Sequence, residues 1–188
     1  MSTLLAKSDI LRGLRKLGRR AQAAGLLIDI AIYGGSALCL AYNMRKATKD
    51  VDAAITGDRA FLRQAAASVA EEEGWPRDWL YEGVKGFLSA HEKLETLPID
   101  GIEGVRIYVP TAQYLFAMKC MAMRLDGIEG SHDIADIENL APLAGIETAR
   151  QALDLIADFY PQERIPAKVR FGVEEIMERL AQRKAGSP

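Results

Sequence analysis

The strongest constraint on this chain is a short apolar run that ends in two glycines and precedes a pair of carboxylates. Leu26 to Tyr33 is apolar, rich in β-branched residues, and leads directly into Gly34-Gly35-Ser36. The run suits a buried strand, the glycines suit a tight turn, and Ser36 to Asn43 offers Ala37, Leu38, Leu40 and Ala41 for packing on a short helix. A helix that starts this way presents unpaired N–H groups to an anion, and the Ser36 hydroxyl adds a donor. Asp50 to Ile55 alternates as a second strand. Asp50 and Asp52 would share one of its faces, roughly 6.6–7 Å apart along the chain. Carboxylates so placed repel unless a cation joins them or one takes up a proton. A hard cation such as Mg²⁺ is held by one or two carboxylates together with substrate phosphate. Arg45, Thr48 and Lys49 lie between the two segments and add the cations and the hydroxyl that a triphosphate requires. Either half of this constellation alone is also compatible with an ordinary turn or a solvated strand edge.

The rest of the chain divides into two halves. Residues 4 to 24 are expected to form a helix, with Leu4, Leu5, Ile10, Leu11, Leu14 and Leu17 at helical spacing and Gly25 as its stop. Asp58 to Glu73 reads as a helix capped by Asp58 and ended by Gly74. In the middle, Val84–Ala90, Lys93–Ile99 and Gly104–Val109 are each expected as strands. From Thr111 onward the pattern is helical. Thr111 caps a helix to about Leu125, Ser131 caps a second over 132–141, and 147–159 and 167–184 follow, separated by Pro161 and Pro166. The predicted architecture is α/β (α+β): residues 1–110 as an α/β core with its N-terminal helix, and 111–188 as a helical region completing the site.

Composition excludes several classes. The 188 residues carry a net charge of −2, so contact with RNA or DNA would need a local basic patch. Cys39 and Cys120 stand far apart in apolar runs, which is neither a disulfide framework nor a zinc spacing, and suggests buried thiols in a reducing cytoplasm. No apolar run approaches about 18 residues, so no membrane span is expected.

Gly34-Gly35-Ser36, Arg45, Thr48 and Asp50-x-Asp52 together resemble the signature of the polymerase-β-like nucleotidyltransferase superfamily. The spacing R-x-x-T-x-D-x-D is similar to that of abortive-infection nucleotidyltransferase toxins of bacterial toxin–antitoxin systems. Lys119-x-x-Ala122-x-Arg124, followed by Asp133-x-x-Asp136-x-x-x-Leu140, resembles the second block of that family. The motifs cover residues 28–56 and 113–140. The resemblance implies a short mixed sheet flanked by helices, followed by a helical region. It implies an NTP such as ATP as substrate and Mg²⁺ or Mn²⁺ at Asp50 and Asp52. It also implies transfer of a nucleotide to RNA, tRNA ends in particular, or to a protein hydroxyl, with an antitoxin protein as a possible partner. Gly34, Gly35, Ser36, Arg45 and Thr48 would bind the nucleotide. Lys119 would contact the triphosphate, and Asp133 or Asp136 would assist the acceptor or orient the lysine.

The residues themselves leave other readings open. Lys119 lies in an apolar run and needs solvent or an anionic partner. Asp133 and Asp136 share a helical face, where Asp133 also suits the first turn and Asp136 an ordinary surface charge. A third carboxylate is not fixed by the pattern. Asp78, Glu82, Glu95 and Asp100 are in range, with Glu82 preferred for its place before an expected strand. His91, His132, Trp75 and Trp79 read as structural residues, and the arginines of the first helix as a solvated face that could steer RNA. The alternative function is a non-catalytic module of the same fold that holds a partner protein. A third is a protein-modifying antitoxin, which differs from the toxin in its acceptor.

Overall fold

The computed structural model describes residues 4–123 and 132–185, apart from the side chain of Lys85. The chain forms two compact units. One runs to Gly86 and includes Leu94–Pro110; the other comprises Phe87–Lys93 and the chain from Thr111 onward.

In the first unit, strand β1 (Leu5–Ala6) leads into helix α1 (Lys7–Ala23). The Asp9 carboxylate accepts from the Ala6 N–H at 2.9 Å and so fixes the start of α1. Ile10, Leu14, Leu17 and Ala21 recur at helical spacing and are fully buried. Strand β2 (Ile28–Ile32) follows, then α2 (Gly34–Leu40), β3 (Ala47–Thr48), β4 (Val51–Thr56) and α3 (Arg59–Glu73). Asp58 caps α3 by accepting from the Phe61 N–H, and Gly74 ends it at φ 68°. Strands β5 (Leu80–Tyr81), β6 (Leu94–Thr96) and β7 (Val105–Pro110) complete the unit.

The main sheet has the order β5-β4-β2-β7-β6. It is mixed: β2 runs parallel to β7 and β4 parallel to β5, while β2–β4 and β6–β7 are antiparallel. Register sorts its side chains cleanly. Ile30 pairs with Ile55 and Ile107, and Ile32 with Ala53; with Ile28, Val51, Val105 and Val109 these form a buried apolar face. Helix α1 packs on β7 and α3, and α2 on β4. The opposite face is polar. Asp29 pairs with Thr56 and Arg106, and the Arg106 guanidinium donates to both Asp29 oxygens at 2.6 and 2.8 Å. Asp52 lies on this polar face with Ala54 and Thr56.

The second unit is helical. Helix α4 (Ala112–Ala122) is capped by Thr111 and buries Tyr114 through Cys120 without a break. Helices α5 (Asp133–Leu143), α6 (Ala149–Phe159) and α7 (Ala167–Ala185) surround it. Thr148 and Gln151 form a reciprocal capping box at the start of α6. The segment Phe87–Lys93 is stitched into this unit. Ser89 N–H donates to the Tyr114 hydroxyl oxygen at 2.9 Å, its hydroxyl donates to the Phe159 carbonyl, and the Tyr160 hydroxyl donates to the Phe87 carbonyl at 2.6 Å.

Several sequence expectations need correction. Val84–Ala90 is not a strand: Val84–Phe87 forms a 3₁₀ turn, and the residues after it take side-chain and helix-end partners instead of a ladder. Leu4 and Leu5 are not helical, because Leu5 and Ala6 pair with Thr48 and Ala47 in a two-stranded ribbon. Helix α2 starts two residues before Ser36. Arg124, Leu125 and Ser131, to which a motif position, a helix end and a cap were assigned, lie outside the described residues.

Candidate functional site

The glycine turn and Asp52 meet through strand pairing. Because β2 and β4 are antiparallel, the end of β2 lies beside the beginning of β4, and the Tyr33 N–H donates to the Asp52 carbonyl at 2.9 Å. Helix α2 starts one residue later, so its first turn and Asp52 are neighbours. Gly34 has φ 59°, and a Cβ there would stand 2.5 Å from Asp52 Oδ2. Only glycine satisfies both the left-handed backbone and the close approach of that carboxylate. Next to it, a Cβ on Gly35 would stand 2.8 Å from Arg45 Nη1 and 3.1 Å from Thr48 Oγ1. Gly34, Gly35, Arg45, Thr48 and Asp52 are thus brought together at one end of the sheet.

The ribbon of β1 and β3 holds the loop that makes this possible. Thr48 is buried and pairs with Leu5, the Met44 N–H donates to the Leu38 carbonyl at 3.0 Å, and Lys7 donates to Asn43 Oδ1 at 2.7 Å. Residues 41–50 therefore fold back over α2 and deliver Arg45 to its first turn. Ser36 is fully buried, and its hydroxyl donates to the Tyr33 carbonyl at 2.7 Å. A phosphate could use that hydroxyl only after it turned away from Tyr33.

Asp50 stands in a bend immediately before β4 rather than within it. It is half-buried. Burial and, next, the negative charge of Asp78 push its carboxyl above the ordinary carboxylate range, while Lys49 acts in the opposite direction. Asp78 comes near because the Val51 N–H donates to the Trp79 carbonyl at 2.6 Å. Glu82 is committed elsewhere: the Arg63 guanidinium holds its Oε2 at 2.9 Å, and Arg59 lies 3.7 Å from Oε1. Among the described residues, no three carboxylate, imidazole or thiol groups converge on a point suited to a metal ion. Cys39 and Cys120 are both buried, and burial pushes both thiols up.

Lys119, Asp133 and Asp136 form a cluster within the helical unit. Lys119 on α4 and Asp136 on α5 are more than nine-tenths buried, with Lys119 Nζ 2.8 Å from Asp136 Oδ2 and 3.5 Å from Asp133 Oδ1. Asp136 is therefore not a surface charge; it orients the lysine. A phosphate contact from Lys119 would require it to exchange Asp136 for a phosphate oxygen.

Other residues behave structurally. Trp79 is fully buried and donates its Nε1–H to the Ala66 carbonyl at 3.0 Å. Trp75 meets it edge-on at 5.2 Å between ring centroids. His91 and His132 are exposed. The α1 basic residues Arg12, Lys16 and Arg20 pair with Glu72 and Glu73 of α3 instead of facing solvent alone. Sequence reasoning overlooked Tyr81, which pairs with Asp52 in the β4–β5 register. A two-residue strand has too little alternation to reveal itself, and Trp79-Leu80-Tyr81 reads simply as an apolar cluster.

No family model matches the chain, and no curated protein matches it. Among solved structures it is similar to an antigenic nucleotidyltransferase-like protein from Paracoccidioides brasiliensis, with a TM-score of 0.49 and 15% identity over 97% of this chain and 92% of the other. A likeness of that strength decides nothing by itself, and the weight rests on the site's own residues. Among the described residues, no helix is long and apolar enough to cross a membrane.

Proposed function

We propose that this chain is a metal-dependent nucleotidyltransferase that moves a nucleoside monophosphate from an NTP to a hydroxyl of RNA or protein. The observation that supports it is the carboxylate of Asp52 resting on a Cβ-less Gly34, with Arg45 and Thr48 against Gly35. An acid, a cation, a hydroxyl and two glycines without side chains at one strand end suit both a phosphate chain and a divalent ion.

In the transfer, the acceptor oxygen bonds to the α-phosphorus, the bond from that phosphorus to the β-phosphate breaks, pyrophosphate leaves with the electron pair, and the hydroxyl proton passes to water. Arg45 would neutralise phosphate charge, and Gly34 and Gly35 would let the phosphates approach the backbone. Asp50 and Asp52 are the residues that would hold a Mg²⁺ or Mn²⁺ ion. Two carboxylates are a usual protein share for such an ion, and a cation would favour the charged form of Asp50 that burial and, next, Asp78 disfavour. When bound, the ion would supply charge stabilisation at the reacting phosphate.

A role in a toxin–antitoxin pair, with an antitoxin protein as partner, rests on the motif resemblance of Lys119, Asp133 and Asp136. The capture of Glu82 by Arg59 and Arg63 favours the second reading, a non-catalytic module holding a partner protein, because it occupies the preferred third carboxylate. One experiment separates the two. Purified chain is incubated with each α-³²P-labelled NTP, Mg²⁺, total tRNA and cell extract, with Asp52→Ala in parallel. Label on RNA or protein with the wild type alone supports transfer and names the acceptor. The absence of label with every NTP, in folded protein, supports the binding module.

A further inference from the structure

We propose that Tyr81 is the platform on which the nucleobase of the bound nucleotide stacks. The inference rests on the reading of Asp52 as part of a nucleotide site and deepens it, since it assigns where the base goes. Tyr81 lies directly opposite Asp52 in the parallel β4–β5 pair. Parallel partners in register project to the same face, and adjacent strands are about 4.8 Å apart, so the two side chains leave the sheet one strand apart. Its neighbour confirms the alternation. Glu82 turns the other way, into Arg59 and Arg63 of α3, whereas Tyr81 shares the polar face with Asp52, Ala54 and Thr56.

Two further features separate Tyr81 from an incidental surface aromatic. The side chain is 51% exposed although β5 is an edge strand with the rest of the sheet on one side. The ring also has a close neighbour. A Cβ at Gly83 would overlap it, with Cδ1 at 2.7 Å and two further ring atoms closer. The backbone at Gly83 thus lies against one side of the phenol, and about half of the residue stays open. An open aromatic ring beside a phosphate-binding strand end suits an aromatic heterocycle. Such stacking tolerates all four bases, because every base offers a π-face.

The test is calorimetric binding of ATP, GTP, CTP, UTP and inorganic tripolyphosphate to the full chain with Mg²⁺, for the wild type, Tyr81→Phe, Tyr81→Ala and Asp52→Ala. Stacking predicts that Tyr81→Ala weakens NTP binding about 5- to 150-fold. Tyr81→Phe should bind within about twofold of wild type, and tripolyphosphate should bind all Tyr81 variants equally. Gly83→Ala, which keeps the phenol but places a Cβ where its ring lies and so displaces it, should weaken NTP binding in the wild type and add nothing in the Tyr81→Ala background. NTP affinity unchanged in Tyr81→Ala overturns the proposal while leaving the nucleotide site standing, provided Asp52→Ala weakens both ligands. Equal losses for NTP and tripolyphosphate in Tyr81→Ala also overturn it, because they mean that the phosphate site has been disturbed. A wild type that binds neither ligand overturns the nucleotide reading and this inference together.

Discussion

Asp52 and Asp136 are both aspartates at motif spacing, and the two units use them in opposite ways. Asp52 lies on the polar face of a sheet, against a glycine that leaves room for it, next to an arginine and a threonine at the same strand end. Asp136 is 4% exposed and holds a buried ammonium at 2.8 Å. The first carboxylate sits where only a glycine leaves it room; the second is part of the helical core. Position in a motif therefore does not tell whether a charge serves a ligand or its own fold. Burial and the identity of the nearest counter-charge do.

Two substitutions break this comparison at its strongest point. Asp52→Ala should lower nucleotide transfer on the order of 1,000-fold, the size expected when several kcal/mol of charge stabilisation are lost, with a smaller fall in the urea unfolding midpoint than Asp136→Ala. Asp136→Ala should do the reverse in the stability assay. Leaving Lys119 buried without that partner should cost about 3–5 kcal/mol. The double variant Lys119→Met, Asp136→Leu should recover most of that loss, because apolar side chains need no solvation. If Asp136→Ala were as stable as wild type, the pair would be a ligand site after all and the contrast with Asp52 would collapse.

A smaller effect sharpens the Asp52 side. Gly34→Ala places a side chain at φ 59° and 2.5 Å from the Asp52 carboxylate. The backbone term alone is about 1–2 kcal/mol. Gly25→Ala is the control, since Gly25 has φ 68° but nothing within 4 Å of an added Cβ. Urea unfolding should show a larger loss for Gly34→Ala than for Gly25→Ala, and Gly34→Ala alone should lose nucleotide transfer. Equal stability losses and retained transfer would mean that the carboxylate simply moves aside.

Most of the architecture was legible because long periodic segments declare themselves. Helices α1, α3, α6 and α7 follow from apolar spacing, and Asp58, Gly74 and Thr111 mark ends by chemistry that a sequence displays. Strands β2, β4 and β7 were visible as apolar or alternating runs. The two-residue pairings were not: β1, β3 and β5 exist because distant backbones offer hydrogen-bond partners, which local pattern cannot encode. Val84–Ala90 failed for the same reason, since the Ser89 amide and the Phe87 carbonyl take their partners from the Tyr114 and Tyr160 hydroxyls. At the site, residue types were readable and their company was not. Glu82 looked available until α3 placed Arg59 and Arg63 against it, and no local pattern announces that the buried Ser36 hydroxyl donates to the Tyr33 carbonyl.

The weakest effect concerns the surface ion pairs between α1 and α3, which are the natural counterpart of the buried Lys119–Asp136 pair. Lys16 lies 2.5 Å from Glu73 and 2.9 Å from Glu72, and Arg12 lies 2.8 Å from Glu73. Hydrogen bonds from Lys16 hold both carboxyls below the usual range, with Arg12 adding to the effect at Glu73 and Arg20 at Glu72. A depressed folded-state value means that the stabilisation is present above the unfolded-state value and disappears as pH falls through the folded one. Thermal melts from pH 7 to pH 3 should therefore fall more steeply for wild type than for Glu72→Gln, Glu73→Gln, with the two curves converging at the acid end. Raising the salt at pH 7 should narrow the gap, because exposed pairs are screened over about 10 Å at 0.1 M ionic strength. The gap in melting temperature between wild type and Asp136→Ala should be much less sensitive to salt, because that pair is buried. Parallel pH curves would show that the α1–α3 pairs contribute nothing measurable, and the packing of Ile10, Leu14 and Leu17 would then account for the α1 contact without them.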